Sequence, residues 1–237
     1  MKFYRPLKPF KAISFDLDDT LYDNHPIIKK AEEDFLVYLS KTYAELSEID
    51  ARQWGLYKKH LAREFPHLLE DVSLWRIEVL KRIMTIYGIA EYKAIEYAPI
   101  AFAEFLRLRS DFTVPAESFI LLEKLAKHYP LIAITNGNVD EKQIGLQDKF
   151  EFILKAGNGF KAKPQADLFI EAAQRLNIEV SDILHIGDHL ISDVFGAQNS
   201  GAQAVWFNDS KQTLNEARLL PTVEITQLDQ LYYLITE

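Results

Sequence analysis

An α/β fold, a doubly wound parallel sheet with an inserted all-helical domain, is the architecture this sequence predicts. Short apolar runs of strand length alternate with amphipathic segments of helical period, which argues for a parallel sheet covered on both faces. One long stretch, residues 23–112, carries helical periodicity and no convincing strand. The apolar runs end on carboxylates, a hydroxyl or glycine, the edge at which an open parallel sheet presents its ligand-binding groups.

Taken in chain order, the first strand is Ala12–Phe15, and it runs into Asp16-Leu17-Asp18-Asp19-Thr20-Leu21. From there to Phe112 the chain is rich in Glu, Lys, Leu, Ala and Tyr. Helical spacing appears in Phe35, Tyr38 and Leu39, in Trp54, Tyr57 and Leu61, in Trp75, Val79 and Ile83, and in Phe102, Phe105 and Leu106. Four or five helices are expected there, joined near Pro66, Gly88 and Pro99. Pro115 stands where a first helical residue would be, with Phe119, Leu122, Leu125 and Ala126 following at helical spacing. Leu131–Thr135 is the next strand, with Phe152–Leu154 as a further candidate. A helix over Asp167–Leu176 aligns Phe169, Ile170, Ala173 and Leu176. Strand Ile183–Ile186, a helix over Val194–Asn199 ended by Gly201, and strand Ala204–Phe207 complete the set. A Rossmann-like core is therefore expected from residues 1–22 and 113–237, with the helical domain at 23–112.

Composition narrows the function. The formal net charge of −8 argues against a nucleic-acid binder, which normally shows a basic face. It does not argue against a small phosphate ester, for which a metal ion, one lysine and a helix N-terminus suffice. The absence of cysteine removes disulfides and thiol chemistry and fits a reducing compartment. Lys2, Arg5, Lys8 and Lys11 make the N-terminus basic, but no long apolar run follows, so it does not read as a secretory signal. No segment approaches the length of a membrane span. A cytoplasmic protein with no membrane partner is expected.

The residues that carry chemistry stand at strand ends. Asp16 and Asp18 are spaced i, i+2, so the pair can hold a hard cation, and one of the two can act as a nucleophile; an acidic helix-capping turn is the plainer use of the same residues. Thr135-Asn136-Gly137 offers a hydroxyl and an amide to an oxyanion, and equally suits an ordinary strand-to-helix turn. Lys163-Pro164 precedes the helix near Asp167, where a lysine can pair with a phosphate and a carboxylate; Lys161 competes for that role, and Pro164 beside it favours Lys163. Asp188 after Gly187 adds an oxygen ligand at the same sheet edge, with Asp193 near it, a set that suits Mg²⁺. His189 is one of only 6 histidines, none at metal spacing with another, and is read as a rim residue.

These four motifs in this order resemble the haloacid dehalogenase-like hydrolase superfamily: Asp16-Leu-Asp18-Asp-Thr20, Thr135-Asn136, Lys163-Pro164, and Gly187-Asp188 with Asp193. The helical insertion after the first motif is similar to that family's first type of cap domain. Phe3-Tyr4-Arg5-Pro6-Leu7, Leu21-Tyr22-Asp23-Asn24, Ala133 to Asn138, and Arg218-Leu219-Leu220-Pro221 are similar to the bacterial flavin mononucleotide phosphatase branch, which is also linked to a ribitylamino-pyrimidine phosphate of riboflavin biosynthesis. His189 departs from that branch, which tends to carry a second Asp there, and is expected to adjust the outer metal shell.

The resemblance implies a Mg²⁺-dependent phosphatase acting on a small-molecule phosphate ester. It implies Asp16 as nucleophile and Asp18 as acid and then base. It places the phosphoryl group against Thr135, Asn136 and Lys163. The metal would be held by Asp16, the Asp18 main-chain carbonyl and Asp188, with Asp193 in the outer shell. Flavin mononucleotide is the leading substrate. Trp54, Trp75 and Tyr22 are available for stacking and Arg76 for a carbonyl edge, although aromatics at helical spacing are usually core. The alternatives are a 2-haloacid dehalogenase, which does not need Asp18, a phosphosugar phosphatase or mutase, a phosphonatase, which would need a poised cap lysine, and a non-catalytic module, which would be expected to lack Asp16 or Asp18. The sequence leaves the physiological substrate and the oligomeric state open.

Overall fold

The computed structural model describes residues 1–235. Its sheet has seven strands: β1 (Lys2–Phe3), β2 (Ala12–Phe15), β3 (Leu131–Thr135), β4 (Ile153–Lys155), β5 (Ile183–Gly187), β6 (Gln203–Phe207) and β7 (Val223–Ile225). Their spatial order is β1-β7-β6-β5-β2-β3-β4. From β2 the chain moves outward through β3 and β4, then returns to lay β5 against the other side of β2 and moves outward again. The order therefore reverses at β2 and β5, the switch point where open α/β sheets open a crevice at their carboxyl ends.

β2, β3 and β5 are buried along their whole length, as strands covered on both faces must be. The parallel registers pair Phe15 with Ile186 on one side and with Ala133 on the other. The five expected runs form strands within a residue or two of their predicted ends. The exception to an all-parallel sheet is β1, which pairs antiparallel with β7 as Lys2↔Glu224 and Phe3↔Val223. Two residues are too few to show a period. What holds them is long-range: the Tyr4 hydroxyl donates to Glu224 Oε2 at 2.6 Å, and the Tyr4 N–H donates to the Thr222 carbonyl at 3.0 Å.

The chain divides into two compact units, one of which comprises Met1–Asp23, Thr113–Gly137 and Gly145 onward. It contains the sheet together with α5 (Ala116–Leu125), α6 (Asp167–Leu176) and α7 (Gly196–Asn199), α7 being preceded by a π-helical turn over Leu190–Phe195. Pro115 lies one residue outside α5 rather than in it. The helix expected at Val194 begins earlier, at Leu190, because the His189 ring caps its first N–H groups. Gly201, at φ +101°, ends it as expected.

The other unit is helical: α1 (Asn24–Thr42), α2 (Ala51–Glu64), α3 (Val72–Ile86) and α4 (Glu91–Arg109), joined by Asn138–Ile144. That last segment is tied to the helices by the Asp140 N–H to Ser110 Oγ and by Gln143 Nε2 to the Arg107 carbonyl. Asp50 and Gln53 form a capping box at the start of α2, and Asp71 accepts from the N–H groups of Ser73 and Leu74 to start α3. The core of this unit centres on Phe35, which meets Trp54 and Phe105 edge-on. Pro99 is not a joint but lies inside α4. Ala98, Ala101, Phe102 and Phe105 bury around it, and that packing outweighs the lost hydrogen bond. Trp54 is core, and Arg76 is buried, pairing with Glu32 and stacking on the Phe105 ring. No helix of the described residues is long and apolar enough to cross a membrane.

Candidate active site

The β2/β5 switch point gathers the polar residues. Asp16 follows β2, and its N–H donates to the Ile186 carbonyl, which continues the pairing one step past the strand. Asp188 follows β5, and the indole N–H of Trp206 on β6 donates to its main-chain carbonyl at 2.7 Å. Lys163 is buried, and its Nζ donates to Asp16 Oδ1 at 2.9 Å, to Asp193 Oδ1 at 2.6 Å and to the Ile134 carbonyl at 2.6 Å. An ammonium group has three protons to donate, and these partners use all of them. Lys161, the competing lysine, is exposed.

Asp193 has both carboxylate oxygens engaged. Oδ1 accepts from Lys163 and faces His185 Nε2 at 3.3 Å, while Oδ2 accepts from the His189 N–H at 2.9 Å. Its side chain packs against bare backbone: a Cβ placed on Gly187 would lie 2.3 Å from Asp193 Cγ. Asp16, Asp188 and Asp193 each bring a carboxylate oxygen within 4.8 Å of the others. The Asp18 side chain stands outside that group and accepts from the Tyr22 hydroxyl at 2.7 Å.

Asn136 binds the Lys163 main chain twice: its Nδ2 donates to the Lys163 carbonyl at 2.9 Å, and its Oδ1 accepts from the Lys163 N–H at 2.8 Å. Its amide therefore orients the lysine. Thr135 is buried at the end of β3, and its Oγ1 accepts from the Gly137 N–H at 3.0 Å. His189 is exposed, and its Nδ1 accepts from the N–H groups of Ile191 and Ser192.

Beneath the site lies a buried chain of polar groups that the strand-end motifs do not include. Ser14 Oγ and His185 Nδ1 are 2.7 Å apart, and the ring continues to Asp193. Burial, followed by the nearby Lys163 charge, pulls the His185 imidazole down to about 4. A neutral ring donating from Nε2 to Asp193 accepts the Ser14 hydroxyl at Nδ1. A histidine inside the apolar run Ile183–Ile186 is the one sequence signal that points to it.

Electrostatics show what the site suits. Burial pushes the Asp188 carboxyl up to about 8, reinforced by Asp193, Asp16 and Asp19. Burial also pushes Asp16 up to about 7, with Lys163 opposing the rise and Asp193 adding to it. Burial would raise Asp193 too, but Lys163 and His185 outweigh it and hold that carboxyl well below its usual range. Burial disfavours the Lys163 charge, and Asp16 and Asp193 more than restore it. One ammonium thus faces more carboxylate charge than it neutralises. The donor set is all oxygen, which fits a hard divalent cation and supplies no soft ligand for zinc. Asp16 and Asp188 are the carboxylates suited to hold it, because Asp193 already serves Lys163 and His189.

A family model described as haloacid dehalogenase-like hydrolase matches residues 10–201. The chain is 38% identical to the 5-amino-6-(5-phospho-D-ribitylamino)uracil phosphatase YigB of Escherichia coli, over 99% of this chain and 100% of that protein. It is 28% identical to the glyceraldehyde 3-phosphate phosphatase of Pyrococcus abyssi, over 85% and 82% of the two chains. Among solved structures, a 2-haloacid dehalogenase from Pseudomonas syringae superposes with a TM-score of 0.86 at 34% identity, covering 94% of this chain and 97% of that one. The chain belongs to the haloacid dehalogenase-like hydrolases, and within them it is similar over its length to a 5-amino-6-(5-phospho-D-ribitylamino)uracil phosphatase.

Proposed function

We propose that this chain is a divalent-metal-dependent phosphatase that passes the phosphoryl group of a small monoester to Asp16 and then to water. The leading substrates are a riboflavin-pathway pyrimidine phosphate and flavin mononucleotide. The chain is a phosphoric monoester hydrolase. The observation that carries the mechanism is Asp16 at the end of β2, held by Lys163 at 2.9 Å, with a second carboxylate, Asp18, two residues on.

Lys163 fixes one Asp16 oxygen, which leaves the other to approach phosphorus in line. The Asp16 oxygen attacks, the bond from phosphorus to the ester oxygen breaks, and its electron pair goes to the leaving oxygen. Asp18, two residues along the same turn, supplies the proton that makes this oxygen an alcohol. The resulting aspartyl phosphate is hydrolysed by a water from which the same carboxylate takes a proton. Thr135, Asn136 and Lys163 are assigned to the phosphoryl oxygens, and the Asn136 amide also holds the Lys163 main chain. A cation held by Asp16, the Asp18 carbonyl and Asp188, with Mg²⁺ the best fit, would offset the repulsion between carboxylates and phosphate. Substrate choice is assigned to the helical unit.

A second reading, 2-haloacid dehalogenation, is favoured by the Pseudomonas syringae structure. It uses the same nucleophile on carbon, but a halide leaves without a proton, so Asp18 would have no task. Phosphosugar phosphatase and mutase activities use the same apparatus, and the Pyrococcus relative supports testing triose phosphates. The deciding experiment measures kcat/KM for the ribitylamino-pyrimidine phosphate, flavin mononucleotide, pyridoxal phosphate and sugar phosphates, together with halide release from 2-haloacids. A sugar phosphate preferred by more than about tenfold, ~1.4 kcal/mol in transition-state binding, would remove the riboflavin assignment. Halide release without phosphate release would remove the phosphatase reading.

A further inference from the structure

The geometry points to Tyr22 as the positioning residue for Asp18, setting the direction in which that carboxyl delivers its proton to the leaving group. This rests on the reading of Asp18 as the acid. An aspartate side chain has broad freedom about its last torsion, so an acid that must aim an O–H at one oxygen needs an external restraint. Two restraints are present. The buried Tyr22 donates from its hydroxyl to Asp18 Oδ1 at 2.7 Å. On the other oxygen, Gly137 comes so close that an added Cβ would lie 2.5 Å from Asp18 Oδ2 and 3.3 Å from Cγ. The carboxyl is thus gripped on one side by a hydroxyl and on the other by bare backbone.

The local chain is built to bring Tyr22 back to Asp18. Asp19 takes a left-handed φ of 56°, a conformation that aspartate tolerates, and the Leu21 N–H donates to the Leu17 carbonyl at 2.9 Å. This tight turn sets Asp18 and Tyr22 side by side in an isolated bridge. The Ser118 hydroxyl anchors the turn by donating to the Leu21 carbonyl at 2.6 Å. The phenol side chain is thereby fixed by its own backbone, and its ring serves as a rigid spacer from the turn to the carboxyl.

The role has a signature that a merely structural tyrosine would lack. An alkyl ester expels an alkoxide that needs the Asp18 proton, whereas p-nitrophenyl phosphate expels an anion that does not. The value of kcat/KM reports events up to the transfer of phosphoryl to Asp16, so the later hydrolysis step does not mask the difference. Tyr22→Phe keeps the ring and removes the hydroxyl. It is expected to lower kcat/KM for flavin mononucleotide on the order of tenfold or more, and for p-nitrophenyl phosphate by less than about threefold, as a fraction of the usual general-acid contribution. An equal loss on both esters, or no loss, overturns the inference. Gly137→Ala pushes the same carboxyl from the opposite side and should skew the two esters in the same direction. If Tyr22→Phe does not fold, that variant decides: a skew supports the inference and an even loss overturns it. A wild-type protein that releases phosphate from neither ester overturns the phosphatase reading and this inference with it. An active wild type with unskewed variants overturns only the inference.

Discussion

Gly187→Ala should destabilise the protein through one side chain, Asp193. The backbone at 187 is outside the left-handed region, so conformational strain plays no part. The new Cβ would stand 2.3 Å from Asp193 Cγ, 2.5 Å from its Cβ and 2.6 Å from Oδ2. Ordinary contact begins near ~3.5 Å, so Asp193 must retreat by about 1 Å. It has nowhere to go without loss, because Oδ1 is bound to Lys163 at 2.6 Å and Oδ2 to the His189 N–H at 2.9 Å. Overpacking costs about 1–3 kcal/mol, and breaking a buried ion pair by losing one partner costs about 3–5 kcal/mol. Lys163 keeps Asp16 at 2.9 Å and the Ile134 carbonyl at 2.6 Å, so only part of the second figure applies. A total near ~3 kcal/mol follows, which for a chain of this size is a fall in Tm of about 6–12 °C.

Differential scanning calorimetry of the metal-free protein measures this directly. Gly55→Ala is the matched control: it lies in α2 with nothing within 4 Å of an added Cβ. That change should stabilise by about 0.5–1 kcal/mol, since alanine suits a helix better than glycine. A Gly187→Ala protein that melts with the wild type and retains its activity would refute the packing argument.

Other outcomes follow from the same geometry. Asp16→Asn should fold normally and release no phosphate above background in a malachite-green assay; near-normal turnover would remove Asp16 as nucleophile. Asp188→Ala should weaken Mg²⁺ binding severely by titration calorimetry, and full activity of the wild type in excess chelator would contradict a metal requirement. His185 binds its proton near 4 when folded and near 6.5 when unfolded, so the unfolded state gains protons first as pH falls. The stability difference between wild type and His185→Gln should therefore shrink across that window, by up to ~3 kcal/mol, in urea melts at stepped pH. A difference that stays flat with pH would mean the ring does not stay neutral. Phe35→Ala should cost about 3–5 kcal/mol, because the ring is fully buried between Trp54 and Phe105; a loss below ~1 kcal/mol would show that the cavity collapses freely.

The parts of this molecule that repeat a short-range pattern are readable in the sequence. β2, β3 and β5 announce themselves as apolar runs, and α6 by its spacing, because burial on both faces or on one stripe imposes a period on consecutive residues. β1 escapes because two residues carry no period, and Pro99 misleads because its local preference is overruled by packing around Phe102 and Phe105. The functional residue types at the strand ends are readable for a different reason: few residues other than Asp, Thr and Lys serve at such an edge.

What the sequence does not reveal is which atom each side chain meets. Asn136 reads as a phosphate ligand; what the sequence does not show is that both atoms of its amide bond the main chain of Lys163, 27 positions away. Asp193 reads as an outer neighbour of a metal; what the sequence does not show is that Lys163, His185 and the His189 N–H converge on it. The Asn136–Lys163 and Lys163–Asp193 pairings join residues 27 and 30 positions apart that only the sheet brings together, so no local rule encodes them, whereas the His189 N–H to Asp193 bond is made within one turn. They also explain why the site tolerates so much buried charge. Lys163 satisfies Asp16 and Asp193 at once, so the carboxylate left with the largest upward shift is Asp188, the one on the far side of the switch point. A cation held by Asp16 and Asp188 would relieve that excess, while Lys163 keeps one Asp16 oxygen in place and leaves the other for phosphorus.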